Sequence, residues 1–171
     1  MKGENAKNVV FGKGVFKLDG IAIGLTRDGG KFSVEREIRQ ITADGDRGPV
    51  KGRIRSEGAV PKMEINHLEL LTNLENMHSG VSVTNSNGKT VIKGTGEIDD
   101  EKDYHEVVFE GQAKDGRDVK ITIHNAINLE NIEWELKDKD DIIDKVTFTG
   151  TYDPEAEDEM DENWEVEYTN A

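Results

Sequence analysis

The sequence predicts a mainly β domain, a β-sandwich or barrel of about ten short strands with one flanking α-helix. Three observations carry that expectation. Apolar residues alternate with polar ones in short runs from Val15 to Tyr168, the period-two pattern of strands with one buried face. Turn dipeptides separate those runs: Asp19-Gly20, Asn87-Gly88 and Asp115-Gly116 readily take the positive φ angles that tight hairpins need. Only one segment has helical spacing, where Leu70, Leu71, Leu74 and Met77 fall on a single face.

In chain order, residues 1–9 carry no period and read as a mobile arm, ahead of a single domain over 10–171. Val15 to Leu18 and Ile21 to Ile23 form a first hairpin around Asp19-Gly20, and Arg27 to Lys31 is another turn. Phe32, Val34 and Ile38 share the even face of the next strand. Arg36 interrupts that face, so the strand is expected to leave the core there. A loop broken by glycine and proline (Ala43 to Pro49) leads into a strand with Lys51, Arg53 and Arg55 on one side and Val50 and Ile54 on the other. Pro61 opens an alternating run of Met63 and Ile65.

The helix is expected over 67–78. Asn66 with Glu69 has the form of a capping box, Thr72 with Glu75 is a second possible cap, and Gly80 stands where a helix should stop. At ~1.5 Å per residue such a helix spans ~18 Å, enough to plug one face of a small sheet. After it, Val81 to Val83 and Thr90 to Ile92 flank Asn87-Gly88. Gly94 and Gly96 then fall inside a strand, where glycine marks a bulge or close backbone approach. The remaining strands are Val107 to Phe109, Val119 to Ile123, Ile132-Trp134-Leu136, Val146-Phe148-Tyr152 and Trp164-Val166-Tyr168.

At 171 residues the chain suits one domain with a real core. A net charge of −14 argues against a protein that grips nucleic-acid phosphates, and against docking on anionic lipid. The absence of cysteine removes disulfides, thiolate metal sites and cysteine nucleophiles. The opening MKGENAKNVV lacks a signal peptide's apolar core, and no run is long enough to span a membrane. An intracellular or cytosol-assembled protein with no membrane partner is expected.

Two charge clusters stand apart. Arg47, Lys51, Arg53, Arg55 and Lys62 gather around one acid, Glu57, and seven acids without a base lie between Asp153 and Glu162. Either cluster could be a solvated loop; the sharper reading is that one meets the other on a neighbouring subunit, since complementary patches set register. Catalytic patterns are missing. His67, His78, His105 and His124 have no metal-ligand spacing, and Asp103-Tyr104-His105-Glu106 has no visible nucleophile. Asp44-Gly45-Asp46 begins superficially like a calcium loop, but Gly48 and Pro49 break it and Arg55 stands where the bidentate glutamate belongs. Gly94-Thr95-Gly96 has neither the lysine nor the helix of a phosphate loop. The expectation is a protein that is not an enzyme, with no cofactor and no metal.

Taken in order, Gly14-Val15-Phe16-Lys17-Leu18-Asp19-Gly20, Gly24-Leu25-Thr26, Phe32-Ser33-Val34-Glu35-Arg36-Glu37 and Asp44 to Gly52 resemble the major tail tube proteins of long-tailed phages with non-contractile tails. So do Asn125-Ala126, Trp134, Val146-Thr147-Phe148-Thr149 with Tyr152-Asp153, and Trp164-Glu165-Val166. The resemblance covers roughly Val15 to Tyr168, and the order of the motifs is more telling than any one of them. It implies a structural virion protein with the phage tail tube fold, assembled in the host cytoplasm into stacked hexameric rings that carry DNA into the host. The partners implied are further copies of itself, the tape measure protein, the tail terminator and baseplate or distal tail proteins. DNA would pass transiently without specific binding. Six copies at −14 give a ring of −84, which disfavours phosphate contacts and lets DNA slide. By similarity, 43–58 is an extended basic inter-subunit loop. Arg47, Lys51, Arg53 and Arg55 are its candidate contacts, opposite Asp153, Glu155, Glu157, Asp158 and Glu159 of an acidic loop over 153–163. Glu35, Glu37, Glu97 and Glu110 are candidates to line the bore. The alternatives are a tube subunit of a phage-derived injection machine, and a monomeric β-sandwich binding carbohydrate or a host surface. For the latter, exposed aromatics are thin, since Trp134 and Trp164 occupy alternating core positions.

Overall fold

A computed structural model describes residues 5–155 and 161–170. The chain is mainly β, with strands β1 (Val10–Leu18), β2 (Ile21–Ala22), β3 (Thr26–Gln40), β4 (Ile54–His67), β5 (Val81–Ser86), β6 (Lys89–Gly94), β7 (His105–Ala113), β8 (Asp118–Asn128), β9 (Asp144–Gly150) and β10 (Trp164–Tyr168). Eight of them form one antiparallel sheet in the order β2-β1-β7-β8-β9-β4-β3, with β10 also on β8; β5 and β6 pair separately. Two of the three expected Asp-Gly and Asn-Gly turns take positive φ at both residues, whereas at Asp115-Gly116 only Gly116 does, at 89°. Asp19 and Gly20 have φ of 50° and 81°, and Asn87 and Gly88 have 52° and 72°, so both central residues of each turn lie in the left-handed region that matches the strands' twist. The Asp19 carboxylate then fixes the hairpin tip to β7, accepting from the Glu106 N–H at 2.9 Å and bonding His105 Nδ1 at 2.7 Å.

β8 is the pivot of the sheet. Val119 to Ile123 lie between β7 and β10, whereas Ala126 to Asn128 pair with β9. Val107 sits opposite Ile123 but His105 opposite Ala126, so β8 carries one extra residue, and Asn125 takes φ 49° there. A bulge of this kind bends a strand. Strands β1, β7, β8 and β10 thereby face β9, β4 and β3. Phe16, Leu18, Val107 and Ile123 from one layer close on Met63, Ile65, Val146 and Phe148 from the other. Fully burying a side chain such as Phe148 contributes about 1.5–3 kcal/mol.

Several expectations are corrected. The helix α1 is one turn, Leu74–Met77, not 67–78; Asn66 and His67 belong to β4. Asn73 precedes α1 in the left-handed region with no side-chain cap, and the Glu69 carboxylate instead accepts the Leu25 N–H at 3.1 Å. Only Met77 of the apolar stripe is fully buried; Leu71 is 91% exposed. No plug covers the sheet. Lys51 and Gly52 form a turn and Arg53 precedes β4, so the three cations do not share a strand face. Ile132, Trp134 and Leu136 lie in a segment without regular structure, and Tyr152 lies beyond β9. Gly94 ends β6 opposite Val81, and Gly96 lies outside it. Of the N-terminal arm, Asn5–Asn8 form a 3-10 turn, tied down by Arg117 Nη2 donating to Asn8 Oδ1 at 2.7 Å.

Candidate functional site

The β3–β4 hairpin is longer than the sheet that supports it. β9 flanks β4 only from Lys62 to His67. Pro61 offers no N–H to continue that ladder, and Gly150, where β9 ends, packs against Pro61 and Ile123 so closely that a Cβ would collide with both. Beyond that point, among the described residues, Glu35 to Gln40 and Ile54 to Val60 pair only with each other. All but the half-buried Ala59 are exposed. A two-stranded ribbon with both faces in water is marginally stable by itself. This arm presents Ile38 and Ile54, 55% and 45% exposed. It also sets Arg39 directly opposite Arg55, a like-charge pair that destabilises the ribbon and is offset by Glu57 at 2.7 Å from Arg39.

The loop at the arm's tip occupies residues 41–53, and 54–58 of the expected loop are strand. Its cations divide into two kinds. Arg53 Nη1 donates to Asp46 Oδ2 at 2.9 Å, and the same carboxylate accepts the Ala43 N–H at 2.7 Å. Arg55 Nη1 donates to the carbonyls of Gly52 and Ile54, both at 3.1 Å. These two hold the loop's own shape. Arg47 and Lys51 point into solvent and are the cations available to another molecule.

Of the acidic loop, Asp153 accepts the Glu155 N–H at 2.9 Å; Glu157, Asp158 and Glu159 fall outside the described residues. Its far end returns to the arm's root, where Glu162 stands 4.0 Å from Arg36. Tyr152, Asp161 and Glu162 wall a groove along Ser56 to Ala59. The acidic and basic segments therefore adjoin inside one subunit. The four candidate bore residues do not share a surface. Glu35 and Glu37 lie on the outer side of β3, Glu35 pairing with Lys62 at 3.2 Å. Glu110 lies on the outer side of β7, paired with Lys17 at 2.9 Å and opposite Lys120. Glu97 is in the exposed loop after β6.

A buried polar cluster has no counterpart in the sequence reading. His78 Nε2 bonds Asp144 Oδ2 at 2.7 Å, and Trp134 Nε1 donates to Asp144 Oδ1 at 2.9 Å. Asn128 Nδ2 donates to the Met77 carbonyl at 2.8 Å and faces His78 Nδ1 at 3.3 Å, while its Oδ1 accepts the Glu130 N–H at 2.9 Å. Those two backbone bonds fix the Asn128 amide, so His78 Nδ1 accepts and Nε2 donates. Ser79 Oγ donates to the Asn128 carbonyl and not to His78. Serine, histidine and aspartate thus lie close together without a base aimed at a hydroxyl; both ring nitrogens are occupied in bridging Asn128 at the end of β8 to Asp144 at the start of β9. The signal available was Asp144 interrupting an apolar run of Ile142, Ile143 and Val146.

Among the described residues no group of His, Asp and Glu has metal-holding geometry, and no helix is long and apolar enough to cross a membrane. The chain matches no known protein family and no curated protein.

Proposed function

We propose that this chain is a structural subunit of a phage-type tail tube, polymerising through head-to-tail contacts into stacked hexameric rings that let DNA pass. The carrying observation is the arm: a ribbon with both faces exposed, apolar side chains in water and paired arginines is incomplete in the monomer and is stabilised by covering it. The long outer edge of β3, at the end of the sheet order, supports the same reading, because unprotected strand edges are templates for association. The net charge of −14 supports a passage that does not hold phosphates, and the order of the motifs that resemble tail tube proteins supports this kind of assembly over others.

Sedimentation velocity and negative-stain imaging of the purified chain test this directly. Open tubes or six-fold rings are expected; a strict monomer at every concentration and ionic strength ends the proposal. Arg47→Glu with Lys51→Glu should leave the monomer's stability within about 0.5 kcal/mol, as for exposed surface changes, while abolishing polymerisation. Normal tubes from that variant remove the loop tip from the interface.

A further inference from the structure

Resting on that reading, we propose that the arm is covered by a definite segment of a second copy: residues 129–137, which add as a strand along the outer edge of β3.

This segment reads as a strand and is not one. Ile132, Trp134 and Leu136 alternate with Glu133 and Glu135, the pattern of a half-buried strand, yet 131–137 have no ladder partner among the described residues. Leu129, Ile132 and Leu136 are 65%, 53% and 79% exposed. The segment is held in place at points that leave its length uncovered. Trp134 hangs on Asp144, Glu130 on Asn128, and Arg27 reaches Asp141 at 2.6 Å and Asp140 at 3.6 Å.

Ile38 and Ile54 lie on one side of the ribbon, and Arg39 and Arg55 on the other. A strand laid along β3 with Ile132 and Leu136 on the Ile38 side necessarily puts Glu133 and Glu135 on the side of the opposed arginines. There Glu133 and Glu135, the latter with Lys137 beside it at 2.6 Å, meet a face that carries Arg39 and Arg55 alongside Glu37, with Glu57 on Arg39, so charges of both signs pair across the contact while apolar surface is covered. The edge of β4 is the poorer choice, since Glu57, Asp161 and Glu162 gather along it. Strand addition to an exposed edge supplies affinity through backbone hydrogen bonds and specificity through alternate side chains.

Geometry makes the contact intermolecular. The segment is fastened beside Arg27, at the start of β3, and the arm is that strand's other end; from Gly30 to Ile38 is roughly 25 Å at ~3.3 Å per residue. One copy cannot fold the segment onto its own arm while Trp134 and Arg27 keep their partners. A contact between unlike surfaces at opposite ends is heterologous and propagates from copy to copy.

Because the chain contains no cysteine, engineered pairs report the contact without background. Ile38→Cys combined with either Ile132→Cys or Leu136→Cys, in the full chain under mild oxidation, should give reducible ladders of linked copies in at least one pairing, since a disulfide needs Cα atoms within about 7 Å. Ser86→Cys with Leu136→Cys, placed on the β5–β6 turn, should not. Tubes or rings by negative stain without ladders overturn this inference and leave the tube reading standing; no assembly of any kind overturns both. In a second measurement, Glu133→Lys with Glu135→Lys should raise the concentration needed for assembly at least about tenfold, ~1.4 kcal/mol, and adding Arg39→Glu with Arg55→Glu should restore it. Failure of that rescue in variants with unchanged circular dichroism also overturns the inference.

Discussion

Asp144→Ala isolates the energetics of the buried clasp. The carboxylate is 1% exposed and accepts from His78 Nε2 and Trp134 Nε1 at 2.7 and 2.9 Å. Removing it strands a donor on His78, whose side chain is 3% exposed and out of reach of water; an unsatisfied buried donor costs about 1–3 kcal/mol. Trp134 is only half-buried, so its N–H can turn to solvent, and its loss is nearer the net worth of an ordinary hydrogen bond, about 0.5–1.5 kcal/mol. Together the expected loss is about 2–4 kcal/mol. With a urea slope of ~2 kcal/mol/M, the middle of the usual range, the midpoint falls by about 1–2 M at unchanged slope. Trp134→Phe keeps a smaller aromatic ring and removes the donor, so the double variant Asp144→Ala with Trp134→Phe should lose less than the two single losses combined, by about 0.5–1.5 kcal/mol. Equilibrium unfolding followed by tryptophan fluorescence and far-ultraviolet circular dichroism makes the measurement. A loss under ~0.5 kcal/mol for Asp144→Ala refutes the reasoning, because a carboxylate held by two donors in the interior cannot be removed at so little cost.

Two further substitutions test the packing. Leu74→Ala should cost less than ~2 kcal/mol, below the usual range for a buried leucine, because Leu74 is half-buried on a single helical turn; thermal unfolding reporting a larger loss would restore the helix as a core element. Gly150→Ala pushes a Cβ into Pro61 and Ile123 and should destabilise by about 1–3 kcal/mol through overpacking. A neutral result in urea would mean that β9 can end without that close approach.

What was legible in the sequence was local. Asp19-Gly20 and Asn87-Gly88 set two hairpins because a two-residue turn is decided by its own backbone angles. Val107, Ile123, Val146 and Phe148 announced core faces because alternation is a property of neighbours in sequence. The helix failed for a reason found outside it. The alternation of Pro61, Met63 and Ile65 continues into His67, which is fully buried and bonds the Ile23 carbonyl through Nε2 at 2.8 Å. A histidine reads as polar, so in the sequence the strand's end reads as a helix's start. The Asn66–Glu69 box lost to a competitor 44 positions away in sequence, the Leu25 amide. The basic strand failed likewise: Arg53 is drawn to Asp46, and a loop closed by its own carboxylate has no reason to extend.

The Ile132–Leu136 error is of another kind, and it bears on function. Among the described residues the segment has no strand partner and hangs by Trp134 on Asp144, while the outer edge of β3 is likewise without one. Two incomplete surfaces on one chain would be a defect in a monomer, since exposed leucines and opposed arginines each reduce its stability. In a polymer each completes the other. Copies of net charge −14 repel one another in bulk, but at physiological salt that repulsion fades over ~8 Å, so a contact matched in sign and polarity at close range decides whether they join. A protein built in this way has no need of a broad apolar interface. On the proposed reading, one strand's worth of backbone hydrogen bonds, placed where side chains of opposite sign meet, is enough to join the copies.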